Sequence, residues 1–426
     1  MRKTIGVIIL LLMLIASAVG SLLYLTKYES QPFRSRFFSR IFVEKELVTP
    51  FVASPTPKVL PLEKYTIPNL QDYPYQTSAI FLTKLTAEEK EFNSYLFSYQ
   101  TMGKTMTGTA NVPHVANQFQ ENLPVIILVR GYATPEQYYP GFGTRNVAST
   151  FARQGYVTLA PDFFNFGESD PEPEDGWEAR FIKPINVIEL IKTVQKNPKV
   201  TFQLADQTEN NQVPITLNPE KIGMWGHSNG GQISISVLEI LSEPVPTTVW
   251  APVTAPFPYS ILYFTDTLAD EGKEARNWMA IFEKDYDVFE FTITQHLNKL
   301  VAPLQIHHGS RDKDALQEWS DAFVSKIKQE NERRKKLKTK EATKLSAELE
   351  AGLEETGLEE AGLEETGLEE TGLELDKEVV KQQRLANPIE CLYFVYPQAD
   401  HDLQPADNWQ NAINRDIEFF KEYLEV

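Results

Sequence analysis

A serine between two glycines is the part of this sequence best suited to chemistry. Gly226 and Gly230 stand two residues before and two residues after Ser228, in the segment Gly-His-Ser-Asn-Gly. Glycines at these positions allow a strand and a helix to approach closely at a sharp turn, which exposes the serine oxygen. Residues 221–225 have the pattern of a strand and residues 230–241 that of a helix. The sequence therefore predicts Ser228 as a nucleophile on a turn between these elements.

A histidine base is the second requirement, because a serine hydroxyl is a weak nucleophile at neutral pH. Of the six histidines, His401 is the one that follows both a loop with candidate acids and a later strand. Active-site residues of α/β sheets lie at the carboxyl ends of strands, and His401 follows the predicted strand 389–396. We therefore predict His401 as the general base.

A carboxylate must hold the histidine in the correct tautomer and stabilise the imidazolium ion. Asp312 follows the predicted strand 304–307 in the segment His-Gly-Ser-Arg-Asp and is the expected acid. Asp314 is the alternative, because the sequence alone does not show which of the two side chains turns inward. Asp400 and Asp402 flank the histidine and are interpreted as solvated loop charges.

Two hydrogen-bond donors are needed for the oxyanion of a tetrahedral intermediate. The backbone N–H group of Asn229, directly after the nucleophile, is the expected first donor. Tyr132, in the loop after the predicted strand 124–130, is the expected second donor, through its N–H or its hydroxyl group. The alternative role for Tyr132 is an aromatic wall of the substrate pocket.

Short apolar runs alternate with helical patterns from about residue 90 to the end of the chain. This spacing predicts an α/β fold, with a mostly parallel central sheet and helices on both faces. The segment 253–302 is rich in aromatic residues and follows a predicted strand. It is predicted either to form a cap over a substrate pocket or to pack on the edge of the sheet.

A low-complexity insertion interrupts this scheme. Residues 326–344 carry nine basic side chains, and a five-residue unit is repeated five times over residues 351–375. A glycine in every unit disfavours a helix, and one leucine per unit buries little apolar area. We therefore predict a disordered insertion at about residues 329–384 with a helical basic start.

The N-terminus predicts a membrane anchor over residues 1–25. Residues 5–25 carry no charge and are long enough to cross a bilayer core of about 30 Å. An uncleaved, single-pass transmembrane helix is favoured over a cleaved signal peptide, because the apolar character continues past the small residues 16–18. The short basic tail favours an extracytoplasmic catalytic domain, whereas basic residues on the other flank favour the opposite orientation.

Proline-rich residues 26–89 predict an extended stalk and lead-in, followed by a catalytic domain over residues 90–426. Apolar residues make up 42% of the chain, enough for a substantial core. A net charge of −18 excludes a nucleic-acid-binding surface, which needs lysine and arginine to neutralise phosphates. The single cysteine, Cys391, excludes an intramolecular disulfide and a multi-cysteine metal site, and no metal or cofactor is expected.

Five segments together resemble the prolyl-oligopeptidase-type and dienelactone-hydrolase-like branch of the α/β-hydrolases. They are Arg-Gly-Tyr-Ala at 130–133, Phe-Asn-Phe-Gly-Glu-Ser at 164–169, Gly-His-Ser-Asn-Gly-Gly at 226–231, His-Gly-Ser-Arg-Asp at 308–312 and Asp-His at 400–401. The order serine, acid, histidine is also that of this fold. The resemblance implies an α/β-hydrolase fold over roughly residues 90–426, outside the insertion, and cleavage of an ester or peptide through an acyl-enzyme.

Two departures from the family pattern narrow this expectation. Many relatives carry His-Gly at the oxyanion strand, where this chain has Arg130 and Gly131. The peptidases usually carry an N-terminal β-propeller, for which residues 26–89 are too few. With Ser228 at the turn, the thiol chemistry of dienelactone hydrolases is not expected. The predicted activity is that of a serine hydrolase, either a peptidase or a carboxylesterase, and the alternative is a non-catalytic, membrane-tethered binding protein of the same fold.

Overall fold

A ten-stranded sheet forms the centre of the computed structural model, which describes residues 58–114, 120–203, 214–266, 268–355 and 384–425. The strands are β1 (Ile80–Glu88), β2 (Phe92–Thr101), β3 (Lys104–Pro113), β4 (Gln120–Val129), β5 (Val157–Pro161), β6 (Lys199–Phe202), β7 (Ile215–His227), β8 (Thr247–Trp250), β9 (Leu304–Gly309) and β10 (Cys391–Tyr396). Their order in the sheet is β10-β9-β8-β7-β4-β5-β3-β2-β1-β6. Neighbours from β10 to β5 are parallel, whereas β5, β3, β2 and β1 pair antiparallel. The predicted, mostly parallel sheet is confirmed.

Helices cover both faces of the sheet, as predicted. They are α1 (Ile67–Gln71), α2 (Arg145–Arg153), α3 (Gly176–Phe181), α4 (Lys183–Lys196), α5 (Asn229–Leu241), α6 (Ser260–Thr265), α7 (Lys273–Asp285), α8 (Gln317–Glu355) and α9 (Ala406–Leu424). Successive side chains of a strand point to opposite faces. Accordingly, Val125 and Ile127 of β4 share one hydrophobic core with Ile188 of α4, and Ile126 shares the other with Phe420 of α9.

The folded domain begins earlier than the predicted residue 90. The chain divides into the units Met1–Val59 and Leu60–Val426. Ile80 and Leu82 of β1 are buried in the core of the second unit, and β1 pairs with β2. The end of the predicted lead-in is therefore part of the domain, because its apolar residues complete the antiparallel half of the sheet.

The predicted anchor over residues 1–25 lies outside the described residues, as do residues 26–57. Within the described ranges, no helix is both long enough and apolar enough to span a membrane. The anchor, its orientation and the extracytoplasmic location of the domain stay predictions.

Helix α8 occupies part of the predicted disordered insertion. Arg334 on this helix is only 2% exposed, and its guanidinium donates hydrogen bonds of 2.7–2.9 Å to the carbonyl oxygens of Leu297, Leu300 and Asn387. These contacts hold the basic stretch against the domain. The predicted helical basic start is present, and the helix continues to residue 355, so the predicted insertion is helical and not disordered up to that residue. Residues 356–383, with most of the repeats, lie outside the described residues.

The aromatic segment 253–302 contains α6, α7 and two short 3₁₀ turns. Trp278 of α7 stacks on Trp177 of α3 with ring centroids 3.8 Å apart. At the other end, the hydroxyl group of Tyr263 in α6 donates to the carbonyl oxygen of Lys313 at 2.5 Å. The segment thus packs against α3 and also reaches the loop that carries the predicted acid.

Glu239 of α5 has a carboxyl group that is completely buried. Among the described residues, neither of its carboxyl oxygens has a hydrogen-bond partner. Burial raises the pKa of Glu239 well above its ordinary value of 4.5, because an apolar environment penalises the charged form. The folded protein therefore binds this proton more tightly than the unfolded chain does.

Replacing Glu239 with leucine should stabilise the protein, and more so at high pH. Since the pKa is raised on folding, the stability contribution of Glu239 falls as the pH rises above about 4.5. We expect Glu239→Leu to increase the free energy of unfolding by about 1–3 kcal/mol near pH 8 and by less near pH 4. Urea denaturation at the two pH values measures this. The exposed Glu418→Leu is the control, and an equal gain at both pH values for Glu239→Leu would contradict the assignment.

Candidate active site

Ser228 lies at a sharp turn between β7 and α5. Its backbone has φ 55° and ψ −122°, a region that strains a residue with a side chain. The turn is held by the end of β8, because the Ser228 N–H group donates to the carbonyl oxygen of Trp250 at 2.9 Å and the Ser228 carbonyl accepts from Val253 at 3.1 Å. This is the geometry expected of an exposed nucleophile between a strand and a helix.

Glycines permit the close backbone contacts around this turn. A Cβ atom at Gly230 would lie 2.0 Å from the carbonyl oxygen of Val129, so no other residue fits where α5 meets the end of β4. A Cβ atom at Gly131 would lie 3.1 Å from the Cβ of Ser228. The loop after β4 therefore passes directly beside the serine.

The two predicted oxyanion donors occupy different positions at the serine. Asn229 is the first residue of α5, and the first N–H groups of a helix have no acceptor within the helix. Tyr132 directly follows the glycine that passes beside the serine, but its side chain is 76% exposed. The structure therefore favours the backbone N–H of Tyr132 over its hydroxyl group as a donor to a reacting atom.

His401 and Asp312 are in direct contact. The Nδ1 atom of His401 donates to Oδ2 of Asp312 at 2.8 Å. The Oδ1 atom of Asp312 accepts from the N–H groups of Asp314 and Ala315 at 2.8 and 2.9 Å. The exposed Asp314 carboxylate lies within 4.8 Å of both groups, and these three side chains could together hold a cation. Of the two candidate acids, Asp312 is the one that accepts a hydrogen bond from the His401 ring.

His308 is a further contact of the acid that the sequence did not single out. Its buried ring places Nε2 2.8 Å from the carbonyl oxygen of Ala315 and 3.2 Å from Oδ2 of Asp312. A carbonyl oxygen only accepts, so Nε2 carries the proton and Nδ1 accepts from the Ser320 hydroxyl at 2.8 Å. His308 therefore ties the acid loop to α8. The motif His-Gly-Ser-Arg-Asp contained this residue, but nothing in the sequence distinguished its role.

Arg130 anchors the loop that passes the serine. It is 5% exposed, and its Nε and Nη2 atoms donate to the Asp162 carbonyl oxygen at 3.1 and 2.7 Å. Its Nη1 atom donates to the Gly131 carbonyl oxygen at 2.9 Å, and its guanidinium lies 4.2 Å from the centre of the Phe166 ring. Arg130 thus joins the loop at Gly131 to the segment after β5 at Asp162.

A model of the α/β-hydrolase fold matches residues 124–343 of the sequence. The match covers more than half of the chain and runs from β4 into α8, so it includes the turn with Ser228 and the acid loop. The chain belongs to the α/β-hydrolase family. A comparison with curated proteins found no match.

Several solved structures resemble this α/β-hydrolase at low identity. An acetyl xylan esterase from Paenibacillus sp. R4 is 15% identical with a TM-score of 0.47, over 83% of this chain and 91% of that one. Est1E from Butyrivibrio proteoclasticus, bound to ferulic acid, is 14% identical with a TM-score of 0.43, over 77% and 99%. A puromycin-hydrolyzing peptidase from Mycobacterium tuberculosis is 10% identical with a TM-score of 0.45, over 83% and 48%. At these values the likeness carries no information on the substrate.

The electrostatics of the hydrolase site favour an ion pair between acid and base. Burial alone would raise the pKa of Asp312, but hydrogen bonds from His308 and His401 hold it well below its ordinary range. Burial would likewise lower the pKa of His401, but the hydrogen bond and charge of Asp312 raise it above its ordinary value of 6.5. The carboxylate is therefore ready to stabilise an imidazolium ion.

His227, directly before the serine, stays neutral beside this pair. Burial and the charge of His401 lower its pKa to about 4. Its Nε2 atom lies 3.1 Å from the carbonyl oxygen of His401, to which a neutral ring can donate. The sequence had offered no role for His227, and its contact holds the histidine loop against the end of β7.

Removing the guanidinium of Arg130 should destabilise the folded hydrolase. Arg130→Met leaves the carbonyl oxygens of Asp162 and Gly131 without these donors and leaves the buried Asp162 carboxylate without its neighbouring cation. We expect the free energy of unfolding to fall by about 1–3 kcal/mol in urea denaturation, because buried carbonyl oxygens lose their hydrogen-bond donors. The Arg130→Lys variant should lose less stability, because lysine keeps the positive charge although it lacks the forked N–H donors of a guanidinium.

The neighbouring carboxylate of Asp162 provides the control. Adding Asp162→Asn to Arg130→Met removes the stranded charge and should restore part of the lost stability. A single Arg130→Met variant that is as stable as the original protein would show that the guanidinium is not the anchor of the loop.

Proposed function

We propose that this α/β-hydrolase is a serine hydrolase that cleaves an ester or amide bond through an acyl-enzyme. The proposal is supported chiefly by the 2.8 Å hydrogen bond from His401 to Asp312. It lies at the carboxyl edge of the sheet, where the strained turn also exposes Ser228. Nucleophile, base and acid therefore come from the ends of β7, β10 and β9, three strands of the parallel half.

In the proposed acylation step one proton moves from Ser228 to His401 and then to the leaving group. The Ser228 oxygen attacks the substrate carbonyl carbon while Nε2 of His401 takes the hydroxyl proton. The carbonyl oxygen becomes an oxyanion, for which the N–H groups of Asn229 and Tyr132 are the proposed donors. Collapse of the intermediate breaks the bond to the leaving group, which receives the proton from His401. Asp312 stabilises the imidazolium ion in between, without itself taking the proton.

Deacylation repeats the same steps with water. His401 takes a proton from the water as it attacks the acyl carbon, and returns it to the Ser228 oxygen when the acyl-enzyme breaks. The products are a carboxylic acid and the alcohol or amine released before. Both esters and peptides fit this sequence of steps, so carboxylesterase and peptidase stay the two candidate activities.

The segment 253–302 is the proposed substrate-facing cap. Its helix α6 lies against the acid loop through the bond from Tyr263 to Lys313, and Tyr259 and Phe264 on or beside this helix are 50% and 44% exposed. Exposed aromatic side chains next to a catalytic loop suit contacts with the apolar part of a small ester or peptide.

A fluorophosphonate probe should label the full-length protein at Ser228. The probe reacts with serines that have an activated oxygen, so Ser228→Ala should abolish the adduct. Ser236→Ala, which removes another serine hydroxyl group from helix α5, is the matched control. This variant should label normally. Intact-mass spectrometry measures the adduct. An unlabelled wild-type protein, or an adduct that persists in Ser228→Ala, would favour the non-catalytic binding protein.

The pH dependence of ester hydrolysis should report His401. The base must be neutral to accept a proton, so kcat/KM should rise with pH through a midpoint above 6.5. Asp312→Asn removes the group that raises this pKa. It should lower the midpoint and reduce kcat by about ten-thousandfold, as expected when a histidine loses its orienting acid.

Asp314→Asn is the control for the acid. Asp314 contributes only its charge to the raised pKa of His401, so its loss should shift the midpoint slightly and reduce kcat far less. Equal losses in the two variants would mean that the acid is assigned wrongly.

A further inference from the structure

Three cations cluster on one flank of the nucleophile, although the protein carries a net charge of −18. Burial is the main reason that the pKa of Lys183 is lowered to about 8; the charge of Glu172 opposes this shift, and the charges of Arg180 and Arg130 contribute to it. Arg130 has the buried carboxylate of Asp162 as its neighbour. The ammonium group of Lys183 lies 3.9 Å from Glu172. Two of the three cations thus have a nearby carboxylate.

Arg180 differs from Arg130 and Lys183 in this respect. Its half-buried side chain donates from Nη2 to Oε1 of Gln232 at 2.9 Å, and its guanidinium lies 5.4 Å from the centre of the Phe257 ring. In the described parts of the chain no carboxylate forms an ion pair with it. A guanidinium has five N–H donors, and withdrawing one from water without an anion is costly.

Gln232 and Phe257, the two groups that contact Arg180, lie on segments that donate hydrogen bonds to the Ser228 carbonyl oxygen. Gln232 is one helical turn after Ser228, about 6 Å along α5, and its N–H group donates to the Ser228 carbonyl oxygen at 3.3 Å. Phe257 lies four residues after Val253, whose N–H group donates to the same oxygen. These contacts connect the guanidinium to the two segments that hold the Ser228 backbone.

We propose that Arg180 binds an anionic group of the substrate, so that the preferred substrate is an ester or amide carrying a carboxylate a few bonds from the bond that is cleaved. A guanidinium matches a carboxylate with two parallel hydrogen bonds. Phe257, which lies beside the guanidinium, is buried and packs edge-on against Trp177 at 5.4 Å, so this side of Arg180 is fixed by core packing. This inference rests on the proposed function and adds a substrate class to it.

The test compares esters that differ only in a terminal carboxylate. On the acyl side the pair is p-nitrophenyl hexanoate and mono-p-nitrophenyl adipate, and on the leaving-group side it is phenyl acetate and 4-acetoxybenzoate. The full-length protein should hydrolyse the anionic member of at least one pair with a kcat/KM at least about tenfold higher. Added salt should reduce this preference.

Variants of Arg180 then identify the group responsible. Arg180→Met should abolish the preference while leaving kcat/KM for the neutral ester within about twofold. Arg180→Lys should keep part of the preference for the anionic ester, because the positive charge remains although the paired N–H donors of the guanidinium are lost. Arg153→Met, which removes an exposed arginine 5.5 Å from the Phe92 ring, is the control and should keep the full preference.

Two outcomes would overturn the inference. One is equal kcat/KM for both members of both pairs in the wild-type protein. The other is a loss of the neutral and the anionic activities together in Arg180→Met and Arg180→Lys, which indicates a structural role. Fluorophosphonate labelling separates these outcomes from failure of the proposed function, since the wild-type protein still labels at Ser228 when only the anion site is wrong.

Discussion

The close approach of α5 to the end of β4 is the constraint from which the geometry of the site follows. Because a Cβ atom at Gly230 would lie 2.0 Å from the Val129 carbonyl oxygen, the helix can begin at this point only with glycine there. Directly before this helix Ser228 has a positive φ, and the loop after β4 passes directly beside it. That loop needs a fixed path, and the buried guanidinium of Arg130 holds it from both flanking segments.

The contact between Asp312 and His401 depends on a second constraint, the parallel pairing of β9 with β10. His308 pairs with Val395 and Gly309 with Tyr396, so the loops after the two strands leave the sheet side by side. The hydrogen bond between the acid and the histidine therefore joins residues 89 positions apart. The intervening chain leaves the sheet and returns to it without changing this register. A long insertion between the two strands is compatible with an intact site for this reason.

The residues at strand ends were predictable from the sequence, whereas their supports were not. Ser228, Asp312 and His401 follow recognisable strands, and local pattern is sufficient to place each of them at the carboxyl edge. Arg130 and His308 act through contacts with residues 12 to 32 positions away, which no local pattern encodes. The early start of the domain escaped prediction for a related reason, since β1 is stabilised by pairing with β2 and not by its own composition.

Net charge and local charge describe different properties of this hydrolase. A net negative charge repels anions at long range, but exposed charges are screened over about 8–10 Å at ordinary ionic strength. Arg180 and Lys183 are partly withdrawn from that solvent, so their nearest neighbours determine the field that they feel. In such surroundings an unmatched guanidinium gains more from a substrate carboxylate than the same group would at the surface. A protein of net negative charge can therefore bind an anionic group, because such binding depends on the few half-buried cations nearest to that group.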